Sequence, residues 1–196
     1  MGFLLRLSGL IDRATTLVGR AVVWLLFAAA LISAGNAIAR KTLAIGSNAM
    51  LEIQWYLFAA AFMLGAAATF LNNGHVRIDV LAGRFPTRVR MLIDIVGIVV
   101  FLLPLCWFMI DFSLPIVLRA FTSGEVSSNA GGLIRWPVYA LLPAGFGLLA
   151  LQSVSELIKR VACLRGVIPD PLAAGRHEAA AKVAPIPQNL NDGGDR

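Results

Sequence analysis

The sequence predicts an all-α integral membrane protein with four transmembrane helices and an N-terminal amphipathic helix at the membrane interface. The 196-residue chain is 58% hydrophobic and only 14% charged, whereas a soluble domain carries about 25% charged residues. Four long apolar runs divide it, and none shows the apolar–polar alternation of a membrane β-strand. Helices satisfy their own backbone hydrogen bonds in lipid, so each run is predicted to be helical.

The four apolar runs are long enough to cross a bilayer, which takes about 20 residues of helix. The predicted spans are residues 21–39, 53–73, 91–115 and 136–157, within a transmembrane domain at 21–160. Residues 161–196 follow as a proline- and glycine-containing segment, predicted to be a disordered cytoplasmic tail.

Residues 1–20 have the periodicity of an amphipathic helix at about 100° per residue. Phe3, Leu7 and Leu10 share an apolar arc, and Arg6 and Asp12 lie on the polar one. The pattern favours a helix lying in the cytoplasmic interface before the chain turns into the membrane. The alternative is a direct extension of the first span.

The basic residues predict the orientation of the chain. Of the 17 lysines and arginines, 13 precede span one, lie between spans two and three, or follow span four. The other four are Arg40, Lys41, Arg119 and Arg135. Because short cytoplasmic segments are enriched in lysine and arginine, both termini are predicted to be cytoplasmic. This distribution also explains the net charge of +6 without a nucleic-acid partner.

Charged residues avoid the middle of every predicted span. Glu52, Asp94, Asp111 and Glu156 are all placed near span ends, where water or headgroups reach them. A charge at the bilayer centre costs about 2.5–3.5 kcal/mol on insertion scales. The pattern therefore argues against an ion path through this chain alone.

The sequence offers no set of residues for catalysis or metal binding. It has no nucleophile–base spacing, phosphate-binding loop or cluster of histidines and cysteines. Cys106 and Cys163 are interpreted as small apolar packing residues. Small residues at a spacing of four, including Ala61 and Gly65, predict a close helix-packing face, either within the bundle or onto a partner. The chain is therefore predicted to be neither an enzyme nor a metalloprotein.

Two segments, correctly spaced, carry a resemblance to a known family. Residues 52–58 read Glu-Ile-Gln-Trp-Tyr-Leu-Phe at the start of span two, and residues 74–80 read Gly-His-Val-Arg-Ile-Asp-Val after it. Over roughly residues 17–160 the chain resembles the small, four-helix membrane subunit of tripartite ATP-independent periplasmic (TRAP) transporters.

The resemblance implies a scaffold subunit in secondary active transport across the bacterial inner membrane. It implies two protein partners besides the bilayer, namely a large membrane permease subunit and a periplasmic substrate-binding protein. The large subunit would carry the organic acid and the sodium ions that drive uptake, so no substrate site or cofactor is expected here. The candidate residues for the partner interface are Glu52, Gln54, Trp55, His75, Arg77 and Asp79.

Two alternatives remain open on the sequence. A stand-alone four-helix carrier of charged solutes would be expected to place a charge inside the membrane. A membrane anchor of an unrelated enzyme would offer histidines within spans if it bound haem, whereas His75 and His177 both lie outside them.

Overall fold

The computed structural model describes residues 2–42, 46–72, 86–129 and 131–168, and within these ranges the protein is helical. The helices are α1 (Gly2–Thr42), α2 (Asn48–Leu71), α3 (Thr87–Val96), α4 (Leu103–Ser123) and α5 (Trp136–Leu164). A π-helical segment, Gly97–Leu102, joins α3 to α4. Four helical stretches of the described chain are therefore long and apolar enough to cross a membrane, which confirms the predicted fold class.

The ends of the helices follow from local chemistry. Pro86 precedes α3, and Pro137 lies in the first turn of α5, where its missing N–H costs no helical hydrogen bond. Gly124 ends α4 with a left-handed backbone at φ 62°, a conformation that glycine adopts without a Cβ clash. The third membrane helix thus runs over Arg88–Ser123, eight residues beyond the predicted end at 115.

Helix α1 is one unbroken helix of 41 residues. The sequence interpretation divided this stretch at residue 20, but no proline interrupts it, and the helix continues. At 1.5 Å per residue it is about 60 Å long, roughly twice the thickness of the hydrocarbon layer. A large part of α1 therefore lies outside the hydrocarbon or is steeply tilted, and the interfacial position of residues 1–20 stays a prediction.

Successive membrane helices run in opposite directions. The bundle consequently has a terminal end, where α1 begins and α5 ends, and a hairpin end, where α1 ends, α2 begins and α4 is followed by α5. Helices α1, α2 and α5 are in mutual contact, and the third membrane helix packs principally on α5. Helix α4 is therefore peripheral, and most of its surface faces away from the bundle.

Small residues allow the central helices to approach closely. A Cβ on Gly145 of α5 would lie 2.8 Å from the Met63 carbonyl oxygen of α2. A Cβ on Gly65 would contact Val22 of α1 at 3.6 Å, and Ala61 is buried. The predicted packing face of α2 therefore contributes to contacts within the bundle.

Candidate partner interface

Glu52, the first candidate residue, holds the 124–135 connection against α2. Its carboxylate accepts hydrogen bonds from the Ser127 hydroxyl, from Asn129 Nδ2 at 2.7 Å and from the Leu133 backbone N–H at 2.8 Å. These donors belong to the connection between α4 and α5, more than 70 residues further along the chain. Glu52 therefore fixes the shape of the hairpin end.

The connection is narrow because a glycine occupies its tightest point. A Cβ added to Gly132 would lie 2.3 Å from the Ser127 carbonyl oxygen, which no side chain tolerates. The Gly132 N–H bonds the Asn129 carbonyl at 2.9 Å, and Val126 pairs with Ile134 across the loop. The donors that face Glu52 are thus presented by a compact turn.

A second cluster of polar side chains lies at the start of α5. Arg135 Nη1 lies 3.1 Å from Glu125 Oε1, and the Tyr139 hydroxyl lies 3.4 Å from the same oxygen. The hydrogen bond that Arg135 donates to the Glu125 carboxylate raises the pKa of the Arg135 guanidinium further above its usual range. The Tyr56 hydroxyl of α2 donates to the Ile134 carbonyl at 3.3 Å, which ties α2 to the same loop.

The remaining candidate residues divide into two groups. Trp55 is 73% exposed near the hairpin end, available to lipid or to a partner, and Gln54 is half-buried. His75, Arg77 and Asp79 lie outside the described residues, so their role at the interface stays a prediction. Of the candidates that are described, only Glu52 joins a polar cluster.

At the terminal end, Asp12 of α1 is the centre of a polar cluster with α5. Its carboxylate accepts from Gln152 Nε2 at 2.9 Å, from Ser155 Oγ at 2.7 Å and from Lys159 Nζ at 3.1 Å. Thr15 donates to Gln152 Oε1 at 2.8 Å, and both side chains are fully buried. The first half of α1 is therefore held in the bundle by its polar side chains.

An adjoining ion cluster connects α5 to the third membrane helix. Arg160 is 1% exposed and Glu156 3% exposed, and the two side chains pair directly. Arg160 Nε also lies 3.2 Å from Asp94 Oδ2 of α3, and Lys159 pairs with Glu156. Buried charges persist only when they are paired, and here each is neutralised by a neighbour one turn away or on the facing helix.

Sequence reasoning did not assign these two terminal clusters. The sequence pattern places Asp12 on the polar arc of an interfacial helix, counts Lys159 among the basic residues that follow span four, and puts Glu156 near a span end within reach of water or headgroups. A signal was present in Gln152, Ser155, Glu156, Lys159 and Arg160, because a spacing of three or four residues places polar groups on one side of a helix. Their partners on α1 and α3 are more than 60 residues distant in the chain, and only the fold brings them together.

Between the two ends, the interior of the described bundle is apolar or weakly polar. Its buried side chains there include Ala29, Ala61, Ala67 and Cys106. Residues 2–42, 46–72, 86–129 and 131–168 contain no group of three or more histidine, cysteine or acidic side chains suited to a metal ion. The geometry is that of a membrane-spanning structural bundle fastened by polar clusters at both ends.

Comparison with known families agrees with this class of protein. Residues 29–163 match the family described as tripartite ATP-independent periplasmic transporters, DctQ component. No curated protein matches the sequence. The match covers more than half of the chain, which therefore belongs to the DctQ family of small TRAP transporter subunits. Such a subunit is part of a tripartite system with a large permease and a binding protein.

Proposed function

We propose that this chain is the scaffold subunit of a sodium-coupled importer of an organic acid in the bacterial inner membrane. It holds the large permease subunit, which carries the substrate and sodium sites, and it has no catalytic role and no cofactor of its own. The periplasmic binding protein delivers the substrate to the assembled complex. Both termini are cytoplasmic, so the hairpin end of the bundle faces the periplasm.

The observation that supports this proposal is that the charged side chains at both ends of the bundle bond to other groups of the same chain. At the terminal end, Asp12 pairs with Lys159, and Arg160 pairs with Asp94 and Glu156. At the hairpin end, Glu52 is occupied by three donors. A transport path needs polar groups that are free to bind solute, and in the described bundle the interior between these ends offers no charged side chain.

The proposed orientation rests on the distribution of basic residues. Arginines 6, 13 and 20 belong to the half of α1 nearest the terminal end, and Arg88 and Arg90 begin the third membrane helix at that same end. Their excess over the hairpin end favours a cytoplasmic location for the terminal end. Glu52 and the 124–135 connection would then face the compartment in which a binding protein docks.

Reconstitution tests the scaffold role. The purified chain, the large subunit alone and the two together are each placed in proteoliposomes with a sodium gradient, loaded binding protein and radiolabelled organic acid. Uptake is expected only when both membrane subunits are present, because the small subunit has no described transport path. Sodium-driven flux from the purified small subunit alone would overturn the proposal.

A further inference from the structure

Asp111 lies well inside the third membrane helix, at a membrane depth where charged side chains are unusual. Phe121, ten residues further along, packs edge-to-face on Trp136 at 5.4 Å and marks the hairpin end. Asp94, 17 residues earlier, pairs with Arg160 at the terminal end. At about 1.5 Å per residue these levels are roughly 40 Å apart, and Asp111 lies about 15 Å below Phe121.

That depth is within the hydrocarbon of a bilayer. The hydrocarbon layer is about 30 Å thick and the whole bilayer about 40–45 Å, so Asp111 is roughly 10 Å inside the apolar layer. The helix between Asp111 and the hairpin end supports this position, because Phe112, Ile116 and Phe121 are each more than half exposed, and its exposed polar side chains, Arg119, Thr122 and Ser123, lie only in the last turns. A segment projecting into water would be expected to carry polar residues at such sites.

Asp111 points away from the bundle. The buried residues of α4 are Cys106, Ser113 and Ala120, which lie on the side that packs on α5. Helical spacing places Asp111 opposite them. The residues one or two turns away on its own side are all exposed: Pro104, Trp107, Phe108, Leu114, Pro115 and Leu118.

The same point on α4 carries a second hydrogen-bond acceptor. Pro115 has no N–H, so it cannot bond the carbonyl oxygen of Asp111 four residues earlier. No side chain among the described residues donates to the Asp111 carboxylate. A carboxylate and a freed carbonyl therefore lie together in a broad aromatic and aliphatic surface.

Resting on the proposed function, we propose that this outward surface of α4 is where the large permease subunit packs. The surface consists of Pro104, Trp107, Phe108, Asp111, Leu114, Pro115 and Leu118 and is called the Asp111 face below. The partner is a transmembrane helix that places a hydrogen-bond donor, lysine or arginine most effectively, opposite Asp111. Ionisable residues at membrane depth face protein or a water-filled cavity, because hydrocarbon cannot solvate them.

Charge complementarity selects this occupant over lipid and over a second copy of the chain. Acyl chains offer no donor to either acceptor. A second copy packed through the same face would oppose carboxyl group to carboxyl group, and two carboxylates at close range repel each other. A helix with a cationic or amide donor satisfies both acceptors and covers the aromatic surface.

Site-specific photo-crosslinking in the assembled complex tests the proposal. A photoreactive phenylalanine analogue replaces Phe108 or Leu114, on either side of Asp111, and replaces Phe27 on exposed α1 as the matched control. Membranes that contain the full chain and the large subunit are then irradiated. The yield of the adduct between the small and large subunits is expected to be clearly higher from positions 108 and 114 than from position 27. Adducts only with lipid, a dimer of this chain, or equal yields at all three positions would overturn it.

Copurification distinguishes the role of the carboxylate from the role of the apolar surface. Asp111→Leu is expected to lower recovery of the large subunit about threefold to tenfold, the range of one interhelical polar contact. Asp111→Asn, which keeps an acceptor, should retain more of the complex. Asp111 has no described side-chain partner, so the isolated Asp111→Leu chain should unfold at or above the wild-type temperature. A lower unfolding temperature would show that Asp111 stabilises the small subunit itself and would overturn the proposal.

Copurification of the wild-type chain with the large subunit shows whether a negative result concerns the interface on α4 or the scaffold role itself. If it does not copurify with the large subunit, the scaffold role fails. If it copurifies and the Asp111 face gives no small–large adduct, the scaffold role stands and the location of the interface fails.

Discussion

Replacement of Arg160 by leucine should strongly destabilise the protein. The Arg160 side chain is almost completely buried and bridges Glu156 on its own helix and Asp94 on α3. Removing it leaves Glu156, 3% exposed, without its guanidinium partner. Breaking a buried ion pair in this way costs about 3–5 kcal/mol. Lys159 still pairs with Glu156, but Glu156 and Asp94 both lose the guanidinium that bridges them.

The expected shift can be measured by thermal unfolding in detergent, followed by the emission of the four tryptophans. For a chain of this length 1 kcal/mol corresponds to about 2–4 °C, so Arg160→Leu should lower the midpoint by roughly 6–20 °C. The matched control is Arg165→Leu. Arg165 is exposed, ends the same helix and has no side-chain partner in the described structure, so its replacement should have little effect.

A double variant distinguishes loss of the ion pair from loss of packing. Glu156→Leu combined with Arg160→Leu removes both charges, and its destabilisation should be smaller than the sum of the single variants by about 0.5–3 kcal/mol. The reasoning is refuted if Arg160→Leu and Arg165→Leu shift the midpoint equally. It is also refuted if the two single effects simply add, since the pair would then contribute no interaction energy.

Two further predictions concern the partner interface and the centre of the bundle. Glu52→Ala, which releases the 124–135 connection, and Arg77→Ala should each weaken complex formation or transport more than Arg176→Ala in the predicted tail; equal transport by all three variants contradicts this. Gly145→Val should lower the unfolding midpoint, because a Cβ there meets the Met63 backbone at 2.8 Å, whereas Gly147→Val has open space within 4 Å and serves as its control. Similar midpoints for the two valine variants would show that α2 and α5 do not approach as closely as described.

The helices were predictable because lipid imposes a strong local requirement. Each span must be apolar for about 20 residues and must satisfy its own backbone, and both properties can be read from a short window of sequence. The start of α5 at Trp136 coincides with the start of the predicted span 136–157. The fold class and the close-packing role of Ala61 and Gly65 could therefore be predicted.

The candidate site was less predictable because its contacts are distant in sequence. Glu52 was selected as a partner-facing residue, yet its carboxylate bonds Ser127, Asn129 and Leu133 within the chain. Hydropathy also placed Asp111 near the end of the predicted span 91–115. The helix instead tolerates Pro115 and continues to Ser123, and that extension gives Asp111 its depth.

The first half of α1 shows why an amphipathic pattern alone does not define the surroundings of a helix. The sequence pattern favours a helix in the cytoplasmic interface, with Phe3 and Leu10 on its apolar arc and Asp12 on its polar arc. In the structure Ser8, Asp12 and Thr15 bond polar residues of α5, while Phe3 and Leu10 are 78% and 62% exposed. Burial of polar groups is tolerable here because each finds a partner.

This arrangement has a consequence for a subunit that works in a complex. Polar clusters fasten α1 and α3 to α5 from the inside, so the outward surfaces of the bundle are left mainly apolar and suit lipid or another membrane protein. Most of that surface could contact either lipid or protein, because acyl chains and apolar side chains are similar solvents. Asp111 favours protein, since a protein can supply a hydrogen-bond donor at that depth and lipid cannot. The position of one carboxylate therefore says more about where the partner packs than the apolar surface around it.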